Sequence, residues 1–401
     1  MSGEGPSQDL RPVADAPSGR VASGPVEASH ELDPRLGRSA DAEQPPPPAL
    51  GGEDAGRSAA DDISPAQLSI GRRLRQPRTI LSILVPFAII GLFIWLNRDQ
   101  LDRVPQLIFE ANPALILTAF AVHYLGFPLR GFRWASLLRA TGQGVRTADA
   151  TEIIFLSWLV NCVVPAKLGD VYRAYLLKIN SDASLSRTFG TVFIERILDL
   201  FAIATLGLAA GFWSFRDGLP PAVQVVFAIG VVVVVGLAGG LLTLRNFGRR
   251  ILVRLPLPAR ITEFYDRFEE GVFGAIGVRR LPALAFVTGL IWLTESLRLW
   301  LVVRALDFSD VQLGLSGAVF VALIGSLLTA VPLSPAGLGI VEAGVVGVLT
   351  VAYGVPLPEA TAIALLDRVI SVFSIIVLGS IAYLVSSKPR GIGRVAQPKP
   401  G

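Results

Sequence analysis

Charge and reactive side chains are what this chain of 401 residues has least of. Asp, Glu, Lys and Arg make up only 17% of it, against 52% hydrophobic residues, a balance too apolar for a soluble globular domain. A single cysteine, Cys162, excludes an internal disulfide and any multi-cysteine metal centre; it reads as a small buried hydrophobe. Two histidines, His30 and His123, cannot build a histidine-rich zinc site, and His123, inside an apolar segment, reads as a hydrogen-bonded packing residue. No GxxxxGKS, HExxH or GxSxG occurs, so an ATP-driven pump or a familiar hydrolase has no sequence support. No metal, cofactor or nucleic-acid partner is expected.

What is present is a series of apolar runs of about 17 to 25 residues, the length that crosses a hydrocarbon core of roughly 30 Å as helix. They do not alternate as barrel strands would. The expected fold is therefore all-α, a polytopic membrane protein with about eight crossings. Spans are predicted at 79–96, 113–129, 188–214, 221–244, 281–305, 313–332, 338–354 and 360–386. The shorter run 151–166, closed by VVPAK, reads as a re-entrant segment. Gly236 and Gly240 form a GxxxG, a sign of close helix packing.

Charge placement sets the expected topology. Arg72, Arg73, Arg75 and Arg78 precede the first span, Arg130, Arg133, Arg139 and Arg146 follow the second, and Lys388, Arg390, Arg394 and Lys399 follow the last. These place both termini in the cytoplasm of a cell whose inner or plasma membrane holds the chain. Arg130 and Arg133 are expected at the interfacial edge, for topology and headgroup anchoring. Residues 245–280, with eight arginines, suggest an amphipathic helix on the cytoplasmic surface. Residues 1–70 carry five Arg against twelve acids, hold PPPP at 45–48 and show no apolar periodicity. They read as a disordered acidic tail and, lacking an apolar h-region, not as a signal peptide. The expected domains are this tail, a membrane body 71–386 and a basic tail 387–401.

Three landmarks recur in order. RWASLLRA at 133–140 matches RLWLVVRA at 298–305, PAKLGDV at 165–171 matches PAGLGIV at 335–341, and ERILDLF at 195–201 matches DRVISVF at 367–373. The chain reads as two related halves, about 113–244 and 281–386, and repeats of this kind place substrate sites at their interface. Pro165 with Gly169, and Pro332, Pro335, Gly337 with Gly339, mark broken helical backbone, which survives in a bilayer only inside protein or beside water. A half-helix starting there suits an anionic group. Lys167 and Arg173 add charge, and Asp170 is placed to orient either one.

Glu195, Arg196, Asp199, Glu295, Arg298, Asp367 and Arg368 lie inside apolar segments, where each charge costs roughly 2.5–3.5 kcal/mol on insertion scales. They must pair with each other, as internal salt bridges between helices, or face a polar cavity. Glu342, one turn past the second break, has no match in the first copy.

These residues carry a resemblance to the flippase-like membrane domain family, the transmembrane region of lysylphosphatidylglycerol synthases (multiple peptide resistance factors). The motifs are RGFRW at 130–134, NCVVPAKLGDVYRA at 161–174, FIERILDL at 193–200, PLSPAGLGIVEAG at 332–344 and LLDRVIS at 365–371. The resemblance spans roughly 113–386 and implies translocation of a lipid between leaflets, in the best-known members an aminoacylated phosphatidylglycerol. The first glycine motif departs from the family pattern, with Lys167-Leu168 before Gly169. The chain ends soon after its last span, so the relatives' soluble aminoacyl-transferase domain is not expected. The expected function is translocation of an anionic or aminoacylated phospholipid, or of a polyprenyl-phosphate lipid. The headgroup would meet Lys167, Arg173, Arg196 and Arg368, and Asp170, Glu195, Glu342 and Asp367 would steady those cations or contact an amine. A membrane enzyme with Asp170 or Glu342 as base, and a scaffold recruiting partners through its tail, are the rival readings. A lipid-modifying enzyme or a second copy of the chain is the protein partner to be looked for.

Overall fold

The computed structural model describes residues 88, 91, 95, 97–164, 167–218, 221–254, 259–275, 277, 279–308, 313–329, 334–392 and 395, all within one unit, Ala55–Gly401. The expected acidic tail, most of the first span, Pro165, Pro332 and most of the basic C-terminus lie outside these residues. The described part is 84% helical, with no strand among the described residues.

After two short helices, Arg98–Leu101 and Val104–Phe109, come α1 (Pro113–Ala140), α2 (Thr147–Val163), α3 (Gly169–Asn180), α4 (Leu185–Ser214), α5 (Pro221–Arg254) and α6 (Ala259–Ala275). The second half holds α7 (Leu281–Leu306), α8 (Leu315–Leu328), α9 (Ile340–Tyr353), α10 (Leu357–Arg368) and α11 (Ser374–Val385). Among the described residues, four helical segments are long and apolar enough to cross a membrane: 113–140, 281–306, 335–353 and 357–385. Their outward side chains, among them Leu117, Leu125, Phe286, Val351 and Leu384, are exposed. That is the surface a lipid-solvated protein presents.

Local chemistry fixes the ends. Asn112 caps α1, its Oδ1 accepting from Ala114 N at 3.0 Å with Pro113 at the first helical position. Glu342 Oε2 accepts from Gly339 N at 2.7 Å at the start of α9. A π-helical turn, Val369–Phe373, joins α10 to α11 directly after Asp367 and Arg368, the kind of irregularity that marks functional positions in long helices. α5 continues ten residues beyond the predicted end of its span. No proline or glycine pair interrupts 245–254, so the arginines there prolong a helix instead of opening the loop, and α6 alone is the separate helix of that region. A Cβ at Gly236 or Gly240 would meet nothing within 4 Å. The expected close packing falls elsewhere, where Gly190 of α4 meets Gly271 of α6.

Both breaks are visible as helical hairpins. α2 and α3 are joined through Val164–Leu168, and α8 and α9 through the segment ending in the 3-10 turn Pro335–Gly337. Lys167 (φ 52°) and Gly337 (φ 70°), aligned by the repeat, are both left-handed. Gly169 begins α3 where a side chain has no room: a Cβ would overlap the Ser157 carbonyl and lie 2.6 Å from Asn161 Cγ. Asn161 Oδ1 accepts from Gly169 N at 2.8 Å, tying the hairpin together.

The halves face each other through α1 and α7. Arg133 Nη1 donates to Thr288 Oγ1 at 2.9 Å, and Arg298 Nη1 lies 3.1 Å from His123 Nδ1. A shift of 165 residues carries Arg133 to Arg298 and His123 to Thr288, so the same contact is made twice in exchanged roles. Arg130 meets its own counterpart, Glu295, at 2.8 Å across that same separation of 165. In these contacts one residue number rises as the other falls, so α1 and α7 run antiparallel. A two-fold axis relating antiparallel helices stands perpendicular to them. For helices that span a bilayer, the repeat is therefore of inverted topology.

At the polar end of the first hairpin, outside the spanning helices, the segment after α11 is strapped down. Lys388 Nζ reaches Asp149 Oδ1 at 2.7 Å, Ser386 Oγ donates to Glu152 Oε1 at 2.6 Å, and Val395 N donates to Asn180 O at 3.0 Å. Burial pushes the Asp149 carboxyl upward, but hydrogen bonds from Lys388 and Arg146 outweigh it and hold it below the usual aspartate value. A group with a depressed folded value stabilises the strap fully above about pH 4 and ceases to as pH falls through that value. Amide exchange at Val395, corrected for its intrinsic rate, should accelerate below about pH 4 and in Asp149→Asn at neutral pH. Unchanged protection in both would show that the ion pair does not hold the strap.

Candidate functional site

The predicted charges converge between the two halves. In the first, Arg133 of α1 donates through Nε to Glu195 Oε1 at 3.2 Å and through Nη1 and Nη2 to both Asp199 oxygens at 2.7 and 3.2 Å. Arg173 of α3 pairs with Glu195 Oε2 at 2.6 Å and stacks over Trp134, its Cζ 4.7 Å from the ring centre. Arg196 lies between Asp170 (3.5 Å) and Asp199 (3.4 Å). The second half repeats the plan. Arg298 grips Asp367 with two bonds, at 2.8 and 3.1 Å, and also pairs with Glu295. Arg368 meets Glu342 at 2.8 Å.

The correspondence is close. Arg133–Glu195 and Arg298–Asp367 are the same pair in the two repeats. Arg196–Asp170 and Arg368–Glu342 each join an arginine to an acid in the first turn of the half-helix after the break. Glu342, unmatched by position, is matched by role two residues along.

A cavity of about 420 Å³ opens in this network. Its polar side carries Arg130, Lys167, Arg196, Arg298 and Arg368 together with Asp170, Asp199, Glu295 and Asp367, five cations against four carboxylates. Trp158 and Trp292 lie beside them. Trp158 is stacked under Arg130 at 4.7 Å, and Trp292 Nε1 donates to Asp199 Oδ1 at 3.2 Å. The cavity lining also includes the apolar Leu200, Ile203, Leu299, Val341 and Val345. A smaller apolar cleft of about 40 Å³ between α4, α5 and α8 shares Leu200 and Ile203 with it.

Of the residues singled out from sequence, Lys167, Asp170, Arg196, Asp367, Arg368 and Gly337 line this cavity. Gly169, Pro335 and Gly339 shape the hairpins around it. Arg173, Glu195 and Glu342 stand outside the lining, bonded to the charges around it. Arg130 and Arg133 are the correction. Expected at a water-facing edge, they are 6% and 1% exposed, because α1 runs unbroken to Ala140 and turns both towards acids of α4 and α7. Asp170 does not engage Lys167 as an ion pair; its partners are Arg173 and Arg196. Sequence reasoning missed Asn161, Trp158 and Trp292. The signal for Arg130 and Glu295 was present, since they are separated by the offset of the repeat itself. His123 is the hydrogen-bonded packing residue expected, and Cys162 is buried and unbonded. No cluster of metal-ligating side chains occurs among the described residues.

The sequence model of the lysylphosphatidylglycerol synthase transmembrane region matches residues 80–379. An UPF0104 membrane protein of Methanocaldococcus jannaschii is 35% identical over 228 residues, which is 56% of this chain and 93% of that protein. One of Methanothermobacter thermautotrophicus is 28% identical over 321 residues, 75% of this chain and 90% of the relative. A protein named glycosyltransferase AglD from Haloferax volcanii is 27% identical over 357 residues, 80% of this chain but only 56% of that protein. The match covers both hairpins and every charge of the network, and on that extent the chain belongs to the family of the lysylphosphatidylglycerol synthase transmembrane region.

Proposed function

We propose that this membrane protein moves a lipid between leaflets, with the headgroup crossing through the charged cavity. The acyl chains stay in the bilayer hydrocarbon, alongside the apolar cleft between α4, α5 and α8. The observation that carries this reading is a cavity lined by both charged and apolar side chains, which shares Leu200 and Ile203 with an apolar cleft between helices. A lipid is the molecule that needs both. Desolvating a headgroup in hydrocarbon is what makes unassisted crossing slow, and fixed charges replace the lost water. The inverted repeat supports the same reading, because inverted halves give a fold two related conformations open to opposite sides.

The test is occlusion. Ser326 lines the cavity from α8 without an ion pair, and its hydroxyl donates only to Ala322 O at 2.8 Å. Proteoliposomes carrying the native chain should equilibrate a labelled phospholipid between leaflets faster than protein-free vesicles. Ser326→Phe, at unchanged melting temperature, should fall to the protein-free rate. Native-rate exchange by a folded Ser326→Phe chain would remove the cavity from the path. Turnover of the lipid in detergent, where no leaflets exist, would replace this reading with an enzyme.

A further inference from the structure

Counting which polar atoms of the cavity are already engaged identifies the headgroup more narrowly. Each of the four lining carboxylates is paired with cations of the protein, three of them through hydrogen bonds and Asp170 through longer contacts of 3.7 and 3.5 Å. Asp170 faces Arg173 and Arg196. Both oxygens of Asp199 accept from Arg133. Glu295 divides its oxygens between Arg130 and Arg298, and Asp367 gives both to Arg298. An incoming ammonium would have to compete with at least one arginine for every one of these carboxylates.

The cations are not saturated. Lys167 lines the cavity, half-buried; its carbonyl accepts from Asp170 N at 3.3 Å, and its side chain has no hydrogen bond or ion pair among the described residues. Arg130 and Arg368, each 6% exposed, line it as well; Arg130 leaves Nη1 without a hydrogen-bond partner, and Arg368 leaves Nη2 and also Nε, which only ion-pairs with Glu342. Unpaired donors in a buried site are costly to maintain, and an excess of positive charge in a low-dielectric cavity attracts an anion strongly.

Backbone geometry isolates Lys167 further. It holds φ 52°, whereas its repeat counterpart is Gly337 at φ 70°. A left-handed conformation is natural for glycine and strained for lysine. The first hairpin thus keeps a long cation where the fold itself would take glycine, and residues held under such strain concentrate at ligand sites.

Resting on the lipid-carrier reading, we infer that the headgroup taken by this cavity is a lipid phosphate without an amine, and that Lys167 is its first anchor, with Arg130 and Arg368 completing the site. A phosphate monoester offers several acceptor oxygens to these donors. A lysyl ester of phosphatidylglycerol brings a cation into a chamber whose carboxylates are already occupied.

The experiment is binding in detergent, read from the fluorescence of the cavity tryptophans Trp158 and Trp292. The probes are short-chain phosphatidate, short-chain lysyl-phosphatidylglycerol and inorganic phosphate. Phosphatidate should bind at least about tenfold more tightly than either of the other two. Lys167→Gly should weaken phosphatidate binding about tenfold, the loss of one charge-assisted contact, while raising the melting temperature because the strained residue is gone. Lys167→Met should weaken it equally without that gain. Tighter binding of the lysyl lipid, or native phosphatidate affinity in a folded Lys167→Gly chain, would overturn the inference. Equal affinity for inorganic phosphate would overturn the lipid as its source. Because no leaflets are present, phosphatidate binding without leaflet exchange would defeat the carrier reading alone. Exchange with a preference for the lysyl lipid would defeat this one alone.

Discussion

Arg133→Met is expected to destabilise the folded protein by about 3 kcal/mol or more, the range for removing one partner of a buried ion pair. Arg133 is enclosed on all sides and bonds to Glu195, Asp199 and Thr288. Without it Glu195 keeps only Arg173, and Asp199 keeps Arg196 and the Trp292 N–H. Arg298→Met removes the equivalent residue of the second half, yet it should cost less. The acid it strands, Asp367, lines the cavity and can be hydrated there, whereas Glu195, which Arg133 leaves, stands outside the lining. Adding Glu195→Gln to Arg133→Met should recover part of the loss. Chemical unfolding of the purified variants measures all three, and an Arg298 loss larger than the Arg133 loss would refute the difference in environment between the two repeats.

Gly169→Ala is the second large effect. The added methyl would overlap the Ser157 carbonyl and lie 2.6 Å from Asn161 Cγ, so α2 and α3 must separate. Overpacking of this kind costs typically about 1–3 kcal/mol. The hairpin that would move carries Asn161, Lys167 and Asp170 into the cavity, so lipid exchange should fall at least about tenfold even where the chain stays folded. Gly339→Ala tests a different cause. That position has φ 84°, so the left-handed conformation itself contributes a cost of roughly 1–2 kcal/mol. A Gly169→Ala chain with native melting temperature and native exchange would show that the two half-helices do not need their close approach.

Most of the architecture was legible because its signals are local. Apolar run length, the prolines and glycines of the two breaks, and three landmarks at nearly constant spacing gave helices, hairpins and a repeat. The pairing of the charges was not legible, since Arg133 meets acids 62 and 66 residues away and no local pattern shows which face of α1 looks at them. The same blindness put Arg130 and Arg133 at a membrane edge. An arginine that anchors to headgroups and one that bonds a distant acid look alike in sequence. Glu342 was singled out because alignment gave it no twin. Three-dimensional equivalence follows contacts, and its twin in contact is Asp170.

The mutual bonding of Arg130 and Glu295 on the axis between the halves has a thermodynamic meaning. Each half sees the other from the reverse side, so the helix arrangement favours neither membrane face, while Lys167 opposite Gly337 makes the two halves chemically unlike. On the carrier reading proposed above, such a construction has no arrow of its own. It brings its cargo to balance across the bilayer, and any net flow is set by whichever reaction makes the lipid on one face or consumes it on the other.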